Sequence, residues 1–81
     1  MLKIYGMMIC PDCVECRKAL DQAGIDYAFF DFSEKTQNLK DFLKLRDGNP
    51  AFDKAREAGN IGIPCIVRED GGITLDWETV M

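Results

Sequence analysis

Apolar residues alternate with Lys3 over residues 2–5 and the run ends at Gly6, the pattern of a short strand entering a turn. Beyond Cys10 the period changes. Cys13, Val14, Cys16, Leu20 and Ala23 recur at helical spacings with Glu15, Arg17, Lys18, Asp21 and Gln22 between them, which predicts an amphipathic helix. It begins at Cys10 or Pro11, because proline suits the first helical position and Asp12 the first turn, and it stops at Gly24. Residues 25–32, rich in aromatic and β-branched side chains, predict a second strand. Ser33 or Thr36 can cap a second helix that carries Leu39, Phe42, Leu43 and Arg46 on successive turns, and Asp47-Gly48-Asn49 breaks it. Pro50 opens a short third helix over 51–58. After a turn at Gly59-Asn60-Ile61-Gly62, residues 63–67 read as a strand interrupted by Pro64. Asp70-Gly71-Gly72 marks a hairpin into residues 73–75, and Asp76 can cap a last short helix.

A strand, helix, strand unit favours a parallel pair with a right-handed crossover, and the hairpin adds antiparallel pairing. The expected class is therefore α/β, with a four-stranded mixed sheet. The first helix and the C-terminal one are placed on one face, the middle helices on the other. With 81 residues, 47% of them hydrophobic and 30% charged, the chain is apolar enough to fold and too short for two cores. A single domain over 1–81 follows.

Charge removes several functions. The net charge of −4 leaves no field to hold nucleic acid phosphates or an anionic bilayer, and the adjacent pair Arg17-Lys18 is too small a basic footprint. No apolar run approaches the ~18 residues of a membrane span, and residues 1–4 pass into a strand pattern without a secretory leader. A cytoplasmic monomer is expected. The chain has no histidine, which excludes a Cys-His hydrolase pair and histidine-liganded zinc.

Four cysteines remain to be explained, and Cys10, Cys13 and Cys16 crowd into one short stretch. Thiols so close cannot usefully staple distant segments, so the crowding points to redox or metal chemistry. A thiol attacks a disulfide as its thiolate, and the unpaired amides of a helix start favour that anion. Cys10 is accordingly the candidate nucleophile, somewhat opposed by the neighbouring Asp12. Cys13, one turn on and shielded by the helix, is near enough to resolve a mixed disulfide formed at Cys10.

Lys3-Ile4-Tyr5, Cys10-Pro11-Asp12-Cys13 and Gly62-Ile63-Pro64 follow one another across nearly the whole chain and resemble a glutaredoxin or glutaredoxin-like protein. The resemblance implies a thioredoxin fold and a thiol-disulfide oxidoreductase that serves electron transport and cell redox homeostasis. Its Cys10–Cys13 redox-active disulfide would reduce protein or glutathione mixed disulfides. It also implies a cis proline at Pro64 beside the cysteine pair, with the Ile63 backbone pairing with the substrate's cysteine. Pro11, Asp12 and Asp76 join Ile63 and Pro64 as substrate-binding positions. No bound cofactor is implied; glutathione or a flavoprotein reductase would recycle the dithiol. Two departures bear on the substrate. Met7 stands where glutathione-using members carry lysine, and their Gly-Gly-x-Asp-Asp stretch is matched here at Asp76 alone. Met7, Met8 and Ile9 put adaptable apolar side chains ahead of the nucleophile, which suits a protein disulfide as the preferred substrate.

The rival is a metal protein. Cys10, Cys13 and Cys16 share the spacing of the first three cysteines of a ferredoxin-type run, with Cys65 as a fourth ligand for an iron-sulfur cluster or zinc. The run lacks its completing cysteine and proline, and the helix pattern continues through Cys16. Cys16 and Cys65 are otherwise expected to be buried core residues.

Overall fold

A computed structural model describes residues 1–81. Strands β1 (Leu2–Gly6), β2 (Tyr27–Asp31), β3 (Cys65–Val67) and β4 (Ile73–Thr74) form one sheet in the order β2-β1-β3-β4. β1 pairs with β2 in parallel and with β3 antiparallel, and β3 pairs antiparallel with β4. Between β1 and β2 runs α1 (Pro11–Gln22); α2 (Thr36–Arg46) and α3 (Asp53–Glu57) lie between β2 and β3. The class and the mixed sheet are those the pattern predicts.

Alternation along the two central strands divides the core. Ile4 and Ile66 point to one face, where Cys16 and Leu20 of α1 cover them with Trp77 and Val80 from the C-terminal turn. Tyr5 and Cys65 point to the other, against Phe42 of α2 and Phe52. Helix placement on the two faces thus agrees with expectation. Phe42 and Phe52 are fully buried and meet edge to face with centroids 5.7 Å apart, so truncating either to alanine costs about 3–5 kcal/mol. Gly62 is required beside them. Its φ is +96°, and a Cβ there would lie 2.6 Å from Phe52.

Local details differ from the sequence pattern in four places. α2 starts with extended Lys35 and no side-chain cap. Ser33 is unavailable for that role because its hydroxyl and amide bond the Asp31 carboxylate, at 2.6 and 2.8 Å. The third helix splits into a 3-10 turn at Pro50–Phe52, capped by Asn49, and the short α3. Ile63 and Pro64 precede β3 instead of opening it. Leu39 and Leu43 are exposed, while Asn38 and Phe42 are the buried residues of α2.

Candidate functional site: a buried and an accessible thiol at the start of a helix

Cys10 is the residue from which α1 begins. Its backbone is extended, with φ −84° and ψ 119°, and Pro11 occupies the first helical position. The Cys10 carbonyl accepts the first helical bond, from the Val14 amide at 3.1 Å, and its own amide closes a turn onto the Met7 carbonyl, also at 3.1 Å. The side chain therefore stands at the amide-rich end of the helix, partly exposed.

Cys13 lies one turn further and is wholly buried. Burial pushes its thiol up to about 12; the Met7 backbone works in the opposite sense, and the adjacent Cys10 thiol adds to the rise. Gly6 makes this position available. A Cβ at Gly6 would stand 2.6 Å from the Cys13 Sγ, so only a residue without a side chain lets the end of β1 close over that sulfur.

The loop ahead of Cys10 is fastened to β2. Buried Asp31 accepts the Ser33 hydroxyl and amide and, at 3.4 Å, the Met8 amide. These bonds, the Ser33 hydroxyl's first, hold its carboxyl below the ordinary range despite burial. Arg17 reaches Met8 Sδ and lies over the Phe29 ring, 4.6 Å from its centroid.

A cavity of about 620 Å³ opens beside Cys10. Met7, Ile9 and Asp12 flank it on the cysteine side, and Ala55, Ile61, Ile63 and Leu75 face them. The Ile63–Pro64 bond is cis, as the resemblance implies, and Pro64 is buried. Arg46 holds the opposite wall: its guanidinium donates to the Ile61 carbonyl at 2.9 Å and the Asn60 carbonyl at 3.3 Å.

Of the residues singled out in the sequence, Cys10, Asp12 and Ile63 line the cavity. Cys13 and Pro64 are buried, close to Cys10 and Ile63 along the chain, and do not line it, and two more lie elsewhere. Asp76 spends its carboxylate on the 3-10 turn Trp77–Val80, accepting the Glu78 amide at 3.0 Å, and Pro11 is exposed on the first turn of α1. Gly6, Asp31 and Arg46 were not legible as parts of the site. The Asp31-Phe32-Ser33 spacing carried a local signal for one of them, since an aspartate readily bonds the backbone two residues on.

The four thiols are free and do not converge. Cys16 belongs to the cluster under α1 and Cys65 to the cluster on the opposite face of the sheet. Burial lifts these two thiols to about 11 and about 12. No three cysteine, aspartate or glutamate side chains are grouped as an ion would require. No helix is long and apolar enough to cross a membrane.

A Haemophilus influenzae protein (strain ATCC 51907 / DSM 11121 / KW20 / Rd) described as an uncharacterized protein is 36% identical over 67 residues, which cover 83% of this chain and 78% of that protein. The chain belongs to that protein's family. No family model matches the chain. No solved structure matches it either.

Proposed function

We propose that the chain is a glutaredoxin-like thiol-disulfide oxidoreductase of the thioredoxin fold, acting as a monomer in the cytoplasm on protein or glutathione mixed disulfides. One observation carries the proposal: two thiols one turn apart at a helix start, one open to a cavity and one buried. In this mechanism the Cys10 thiolate attacks one sulfur of the substrate disulfide. A Cys10–substrate disulfide forms, and the other sulfur leaves as a thiolate. That thiolate takes up the proton that Cys13 gives up, directly or through water. The Cys13 thiolate then attacks the Cys10 sulfur, a Cys10–Cys13 disulfide forms, and the second substrate sulfur departs as a thiolate that takes from water the equivalent of the proton Cys10 lost on ionising. Two electrons have passed from the dithiol to the substrate. Glutathione or a reductase returns them.

The closeness of the two thiols serves the second half of the exchange. Once Cys10 is engaged, it makes the attack by Cys13 intramolecular. Ile63 supports substrate pairing, because neither its N–H nor its C=O joins a backbone hydrogen bond of the chain, and it faces Cys10 across the cavity.

The test is reduction of hydroxyethyl disulfide in a coupled assay. Cys10→Ser is expected to lose at least about a hundredfold in rate. Cys13→Ser is expected to retain the first attack and accumulate a protein–substrate mixed disulfide visible as an added mass. Unaltered turnover in Cys10→Ser would end the proposal.

A further inference from the structure

The walls of the cavity beside Cys10 define what the substrate must carry, and this inference rests on the oxidoreductase reading. Asp12 is the one charged residue among them. No cationic side chain lines the cavity; Arg17 is engaged with Met8, Tyr27 and the Phe29 ring, and Arg46 with the carbonyls of Asn60 and Ile61. Met7, Ile9, Ile61 and Leu75 make the remaining surface apolar, and Ile9 is 83% exposed. A tripeptide thiol with two carboxylates finds no counter-charge here, and it meets repulsion from Asp12 and from a chain of net charge −4. A cysteine flanked by apolar residues and a basic one meets the reverse. The cavity, about 620 Å³, has room for several residues of an extended segment.

We propose that the substrate of this site is a polypeptide cysteine flanked by apolar side chains with a lysine or arginine adjacent to it, and that Asp12 is the residue that selects it over acidic thiols. The chemistry is the exchange already described; Asp12 acts on which disulfide docks, through charge. Because Asp12 is exposed on the first turn of α1, replacing it leaves the core untouched.

The experiment compares three disulfides: glutathione disulfide and the disulfide-linked dimers of two short Leu- and Val-flanked peptides, identical except for lysine or glutamate next to the cysteine. Each rate is divided by the rate of the same disulfide with dithiothreitol, which removes intrinsic reactivity. At low ionic strength the lysine peptide is expected to be reduced about tenfold faster than either of the others. Salt at about 0.5 M should shrink that preference. Asp12→Asn should lower the lysine-to-glutamate ratio about threefold. Glutathione disulfide or the glutamate peptide being reduced fastest overturns the inference, as does a ratio unmoved by Asp12→Asn; either leaves the oxidoreductase reading standing. Failure to reduce any of the three overturns both.

Discussion

A thiol reacts as its anion, and an anion is costly wherever water is excluded. Cys13, Cys16 and Cys65 are each wholly buried, with thiols raised to about 12, about 11 and about 12. Near neutral pH all three are protonated and out of reach. Cys10 differs by being partly exposed and set at a helix start. Iodoacetamide applied to the reduced native protein at pH 8 is therefore expected to add one label per chain, at Cys10, against four in denaturant. Mass spectrometry of the labelled chain checks this, and rapid native labelling of Cys16 or Cys65 would contradict it. Cys10 and Cys13 were legible as a pair because their spacing and Pro11 are local signals. The faces taken by Cys16 and Cys65 were not, since those depend on how β3 registers against β1.

Elements are held in place here by a few close approaches. One of the two tightest is at the end of β1, where Gly6 meets the Cys13 sulfur and any Cβ would intrude to 2.6 Å. Gly6→Ala is expected to destabilise the protein by about 1–3 kcal/mol, the usual penalty for overpacking. Because the obstacle is the sulfur itself, Cys13→Ala should recover most of that loss. Urea denaturation of the two single variants and the double one measures the coupling, and additive losses would refute the contact. Helix starts and stops were readable to different degrees. α1 was readable because Pro11 and Gly24 mark its ends, and Asp76 caps its turn as the pattern suggested. The start of α2 was misjudged because Asp31 claims the Ser33 side chain, leaving Lys35 at the cap. The role of Arg46 was hidden for a different reason: its carbonyl partners lie on a loop 14 and 15 residues away, at a distance no helical period reports.

At the scale of the whole molecule, the sheet separates two cores that each contain at least one protonated thiol. Raised thiol values mean that between about pH 9 and 12 the folded chain keeps protons the unfolded chain has lost. Stability is then fully present below the ordinary thiol range and falls as pH rises through it, by up to about 1.4 kcal/mol per pH unit for each thiol. Tyr5 and Tyr27, also raised chiefly by burial, act in the same direction higher up. Urea midpoints of the reduced protein at pH 8 and 10.5 should show the fall, and Cys16→Ala should flatten it. An equally steep slope in that variant would exclude Cys16 as a source. The α/β class, the parallel β1–β2 pair and the β3–β4 hairpin could be anticipated from local periods and the crossover rule, whereas the β1–β3 pairing that completes the order, and the cavity between α1 and the loop before β3, exist only once the chain is folded. The sealing of three sulfurs has a further consequence for chains that meet in an oxidising solution. A folded copy offers its neighbours a valence of one, so covalent association through Cys10 terminates at a pair and cannot propagate into a polymer.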